Sequence, residues 1–153
     1  MTRDQRTSLD AVVARLDELA QASNLQISGP WDVSQALEHC AQSVECSLDG
    51  YPQLKPWPVR AFIGPLVARL FLARGRMGHD LTAPIPGADE LRAGGDVAVN
   101  LARLRAALLR FQSHDGALHP HFVFGALDKE RFAQIHALHL WDHLDALGAQ
   151  ESQ

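Results

Sequence analysis

Apolar positions recur with a helical period along almost the whole chain. Leu9, Val12, Val13, Leu16 and Leu19 follow the i, i+3, i+4, i+7 spacing of an amphipathic helix, and Thr7 or Ser8 can cap its start. After the loop Asn24 to Trp31, a second stripe runs through Val33, Leu37, Cys40, Val44 and Leu48. Asp32 and Gln35 have capping-box spacing at its head, and Asp49-Gly50 is a stop signal at its end. The segment YPQLKPWP holds three prolines and cannot continue as regular helix. A third helix is expected over Val59 to Arg74, with a kink or a late start at Pro65. A fourth is expected from Asp96 to Phe111, striped by Val97, Leu101, Leu104, Leu108 and Phe111. Asp128 then caps a last helix expected over Lys129 to Leu147. Only LQIS and HFVF look like strand, too little for a ladder. The pattern therefore predicts an all-α helical bundle, a single domain over residues 1–153.

The stretch from Gly75 to Gly95 breaks this rhythm. It is rich in Gly and Pro and longer than a plain connector needs to be. Long ordered loops of this kind often cover a site, so a lid is expected here.

Composition narrows the function classes. With 46% hydrophobic and 21% charged residues the chain can bury a core and is not of the disordered type. A formal net charge of -4 and the lack of a basic stripe argue against nucleic acid as partner. The apolar stretch Ala61 to Ala73 contains Arg69 and is too short to span a bilayer, and the N-terminus alternates charged and apolar groups unlike a signal peptide. A cytoplasmic location without membrane attachment is expected. Cys40 and Cys46, placed on one helix, are separated by a rise of about 9 Å, too far for a disulfide. They read as reduced thiols, with Cys46 as a reactive thiol the minor alternative.

Eight histidines are many for this length, and three fall in QIHALHLWDHLDAL on the last helix. On a helical projection centred on Phe132, His139 lies at about -20°, His143 at about +20° and His136 at about +40°. They share the inward arc with Phe132 and Leu147, while Trp141 projects to the far side. Buried imidazoles need hydrogen-bond partners or a metal. Residues at i and i+4 are neighbours, close enough for two ring nitrogens to reach one ion. His136 and His143 are about 10.5 Å apart along the axis and are poorly placed to share one. The pairs 139/143 and 136/139 both stay open on spacing alone. A third ligand must come from another element. His39, the only histidine on an early helix, lies on a flank of small residues with Ala36, Ser43 and Cys46. His79 and His121 sit in loops that could line a mouth. His114 and His119 read as ordinary loop residues.

The segments WDVSQALEHCAQSVECSLDGYPQLKPW, FLARGRMGHDLTAPIPGA and HPHFVFGALDKERFAQIHALHLWDHL, in this order, resemble a bacterial domain-of-unknown-function family within the DinB/YfiT-like metalloenzyme superfamily. The resemblance covers residues 31–144. It implies a four-helix bundle with up-down-down-up directions and long connecting loops. It also implies a divalent metal held by one histidine of the second helix and two of the last, which fall on His39, His139 and His143. His136 matches a position that is commonly histidine but is not a ligand. Asp142 stands where the subgroup often has another histidine, a departure that bears on the surroundings of the metal rather than on its ligands.

Three neutral imidazoles with an open position suit zinc or nickel best, and also iron or manganese. Such a metal makes a nucleophile from bound water or a thiol at neutral pH. Glu38, Glu45 and Asp142 are the candidates for a base, with Asp142 expected rather to orient its neighbours. One reading is a metal-dependent hydrolase or thiol S-transferase acting on a small molecule, with a low-molecular-weight thiol as co-substrate. The alternative is a non-catalytic metal-binding or stress-associated helical bundle, dimeric. A relic fold without metal is a third. A homodimer is compatible with either of the first two.

Overall fold

The computed structural model describes residues 1–149. Residues 150–153, counted above in the single domain, lie outside the described residues. The described part is mostly helical: α1 (Arg3–Arg6), α2 (Leu9–Leu19), α3 (Val33–Asp49), α4 (Gly64–Arg74), α5 (Val97–Ser113) and α6 (Lys129–Leu144). Two short strands, β1 (Leu25–Ile27) and β2 (Leu147–Ala149), pair antiparallel with Leu25 opposite Ala149.

The caps follow the sequence. Ser8, not Thr7, caps α2, its hydroxyl accepting the Ala11 N–H. Asp32 and Gln35 form the reciprocal capping box of α3. Asp96 and Asp128 cap α5 and α6. Pro65 does not kink a long third helix. A π-helical turn over Val59–Ile63 leads into α4, which starts at Gly64 with Pro65 in its first turn, where no N–H is needed.

Two expectations are corrected. The last helix stops at Leu144, and Leu147–Ala149 turn back as β2 to pair with the LQI segment, so a small ladder exists. Trp141 does not face solvent; it is buried beside Leu140 and Leu144. The reason is that α6 has core on two sides. One cluster joins Val12, Leu16, Leu37, Val44, Leu104, Leu108 and Phe132 to Leu140 and Trp141. A second joins Ala68, Met77 and Phe124 to Ile135 and Leu138. A helix packed on two faces has no single stripe to project.

Side-chain pairs show how the long helices run. Asp10 with Gln112 and Asp17 with Arg105 make α2 and α5 antiparallel. Ser34 with Asn100 and Asp49 with Arg110 make α3 and α5 parallel. His39 with His139 and Ser47 with His136 make α3 and α6 antiparallel. Histidines on α3 and α6 thereby meet near the start of α3 and the end of α6.

The segment 121–125 closes on itself through paired backbone hydrogen bonds between His121 and Gly125. It packs so tightly on the start of α4 that a β-carbon at Gly64 would overlap the Val123 carbonyl. This contact sets Phe122, Val123 and Phe124 as a wall facing α6.

Candidate metal centre

His39 comes from the second turn of α3, and His139 and His143 from adjacent turns near the end of α6. His39 Nε2 and His143 Nε2 each lie 3.2 Å from His139 Nε2. One ring nitrogen from each residue falls within 4.8 Å of the other two. Four ligands at about 2.0–2.1 Å around a tetrahedral zinc stand roughly 3.3 Å from one another. The two 3.2 Å pairs at His139 fit that figure, and the His39–His143 pair lies within 4.8 Å. The arrangement fits mutual hydrogen bonding poorly, because the one proton of a neutral ring cannot serve both neighbours of His139 Nε2.

The rings are held by packing. Trp31, just ahead of the α3 cap, lies 5.1 Å from the His39 ring and stacks at 6.3 Å on His143. His39 Nδ1 is buried without a hydrogen-bond partner, so its ring orientation comes from these contacts. All three rings are kept neutral. Burial pushes His39 down to about 4, with the neighbouring His79 adding to the shift. Burial, then His39 and His79, push His143 down to about 3, against a small opposing pull from Asp142. His139 lies well below its ordinary range, from burial first and then from the other imidazoles. Neutral, lone-pair-bearing imidazole is the form a metal needs.

The loop 75–95 packs against this centre. His79 brings a fourth imidazole, its ring 4.8 Å from that of His139 and 5.5 Å from that of His143. Its Nδ1 lies 3.3 Å from the Asp142 carboxylate, which also accepts the Gly78 N–H at 2.8 Å. A carboxylate accepts only, so His79 Nδ1 carries a proton, and Nε2 is buried without a partner among the described residues. Asp142 thus orients the loop histidine rather than a triad member. Further along the loop, the Arg92 and Gly94 N–H groups bond to Glu38 and Asp32, and the Gln42 side chain bonds to the Asp89 carbonyl.

His136 is not part of the cluster. Its Nε2 bonds to Ser47 Oγ at 3.0 Å, and burial pushes it down to about 3. Ser47 donates its own proton to the Val44 carbonyl, so His136 Nε2 is the donor in that bond. The 136/139 pairing is therefore removed. His121 lies below His136 on the same side. Its Nδ1 accepts from the Val123 and Phe124 N–H groups, which puts its proton on Nε2. Glu38 and Glu45 do not reach the centre; both pair with Arg103. Burial, then Glu45 and Asp49, push the Cys46 thiol up to about 11, away from the thiolate form, and Cys40 is buried and raised further. His114 and His119 stay in loops, His119 holding the Ser47 carbonyl through its backbone N–H.

A cavity of about 460 Å³ adjoins the centre, with His39, His79 and His139 in its wall. The remaining wall is mainly apolar, including Val67, Phe71, Met77, Ile85, Phe124 and Ile135. Trp31 and this apolar wall were not anticipated. A tryptophan directly ahead of a capping box is a weak signal, and the wall is assembled from four distant segments that share no motif.

No helix is long and apolar enough to cross a membrane among the described residues. No curated protein and no solved structure matches the chain significantly. Residues 3–150 match the family described as "Protein of unknown function (DUF1569)", and the chain belongs to that family.

Proposed function

We propose that this protein binds one divalent metal ion through His39, His139 and His143, and uses it as a hydrolase or thiol S-transferase on a small molecule. The observation that carries the reading is the convergence of three neutral ring nitrogens within 4.8 Å of one another beside a cavity. Zinc or nickel suits an all-imidazole set best, with iron or manganese next. A metal held by three histidines keeps an open position and lowers the pKa of a bound water or thiol. The chain's own part is to hold three neutral rings, to shield their outer side with Trp31, and to present the unpartnered His79 Nε2 beside them. The loop 75–95 acts as the lid over this mouth, pinned by Asp142, Glu38 and Asp32. The helix directions described above support an up-down-down-up, DinB/YfiT-like four-helix bundle.

A non-catalytic metal-binding bundle is the second reading. It is favoured by the engagement of nearby carboxylates: Glu38 and Glu45 with Arg103, and Asp142 with Gly78 and His79. The apolar side chains exposed along the Val59–Ile63 turn and α4, including Phe62, Ile63, Leu66 and Leu70, would serve a homodimer in either reading. Sedimentation of a Phe62→Glu variant beside the wild type tests that association.

Metal analysis of protein purified without chelator tests the central claim. About one divalent ion per chain is expected in the wild type, and almost none in His139→Ala. Equal, near-zero metal in both would end the proposal.

A further inference from the structure

The chemistry of the cavity narrows the class of molecule it takes. Its wall is built from side chains of α3, the segment 51–55, α4, the loop 75–95, the segment 121–125 and α6, and most of them are hydrocarbon or aromatic. Aromatic rings cluster around His121, whose ring lies 6.0 Å from Phe132, two turns of α6 before His139. His121 stacks on Phe124 at 4.3 Å and on Phe122 at 4.8 Å, with Tyr51 at 5.2 Å. Tyr51 is tied to α3 one turn beyond His39, where its hydroxyl reaches the Ser43 carbonyl.

Charge in the wall is sparse, one lysine and one aspartate. Lys55 is the only lysine or arginine lining the cavity, and it makes no ion pair among the described residues. The only carboxylate in the wall, Asp80, is taken up by the N–H and hydroxyl of Thr82. His121 adds a fixed donor. With Nδ1 accepting two backbone N–H groups, its Nε2–H has no protein partner among the described residues. Lys55 and His121 both border Phe122, whose carbonyl accepts the Lys55 backbone N–H.

We propose that the cavity binds a small molecule with a flat apolar body and one anionic end, the anion directed at Lys55 and His121 and the opposite end at the three-histidine centre. A hydrophilic ligand such as a sugar would leave its hydroxyls unpaired against this wall. The inference rests on the metal-centre reading only for which end of the ligand reacts.

Fluorescence titration with two probes tests it: anilinonaphthalenesulfonate, an apolar aromatic body with one anion, and its uncharged counterpart phenylnaphthylamine. One sulfonate probe is expected per chain, with a blue-shifted emission. Val67→Trp, which fills the wall, and Ala83→Trp, at its exposed rim, should each weaken both probes by roughly tenfold or more. Ala83 is outside the core, so the second variant stays informative even if the first fails to fold. Lys55→Ala should weaken the sulfonate roughly two- to fivefold, as an exposed ion pair does, and leave the neutral probe unchanged. The double variant Phe62→Ser, Leu66→Ser should change neither. Probe binding untouched by both tryptophan variants, or lost in the Phe62/Leu66 variant, would place the probe on the exposed α4 face and overturn the proposal. Equal effects of Lys55→Ala on both probes would overturn its anionic part. Repeating the titration with His139→Ala, with metal content measured alongside, separates the two readings: metal-free protein that still binds the probe in the cavity leaves this inference standing.

Discussion

The carboxylate of Asp142 holds His79 at 3.3 Å and the neighbouring Gly78 N–H at 2.8 Å, so the residue between the two α6 ligands fastens the loop rather than the metal. It is half-buried, and its pKa is lowered although burial alone would raise it; the His79 and Gly78 hydrogen bonds outweigh that cost. Replacing Asp142 with Ala should free Gly78 and His79 while leaving His139 and His143 in place. Hydrogen exchange at Gly78 is expected to quicken by roughly tenfold, the scale of one charge-assisted hydrogen bond at a partly exposed site. Metal content should be retained. Loss of metal with unchanged exchange would mean that Asp142 supports the ligands directly.

Removal of the metal should lower thermal stability. An ion that binds the folded chain alone adds about 2.7 kcal/mol when present at a hundred times its Kd. For a chain of this size each kcal/mol moves Tm by roughly 2–4 °C, so chelation should lower Tm by roughly 5–10 °C. His139→Ala should melt at one temperature with and without chelator. A wild type that is equally indifferent would show that no ion contributes to the fold.

Packing on both sides of α6 gives a third expectation. Leu140 and Leu138 are fully buried, in separate clusters on opposite sides of the helix. Leu140→Ala and Leu138→Ala should each cost about 2–5 kcal/mol in urea unfolding. Leu66, about two-thirds exposed at 64%, should cost less than about 0.5 kcal/mol when changed to Ala. A small effect at Leu138 alone would mean that the second cluster is not a true core.

What was legible before the structure followed from how local each signal is. The caps at Ser8, Asp32 and Asp128 are decided within four residues, and all three form. The pairing of His139 with His143 is also local, being one turn of one helix. His39 could be matched to them only through the resemblance, because no local rule says which faces of α3 and α6 meet. Trp141 was misplaced because projection assumes one buried face, and α6 has two. The strand Leu147–Ala149 was hidden because its partner lies more than a hundred residues earlier and continues no pattern of its own. His79 was legible only as a loop histidine. Its role depends on Asp142, 63 residues away.

Acid sensitivity gives the last expectation, through His136. Burial pushes its folded-state pKa down to about 3, whereas the unfolded chain titrates near about 6.5. Above that higher value neither state is protonated and His136 contributes nothing to pH dependence. Below it the unfolded chain takes up a proton that the folded chain refuses, so stability falls as pH drops through 6.5 and keeps falling until about 3. One such histidine contributes a slope of about 1.4 kcal/mol per pH unit. His136→Gln retains an amide that can donate to Ser47 but cannot titrate, and it should lose that slope. Urea unfolding of both proteins without added metal, from about pH 5.5 to about pH 4, reads the difference, and the other buried histidines cancel between the two. A common slope would mean that His136 is protonated within the fold, which would require an acceptor other than Ser47 at its ring.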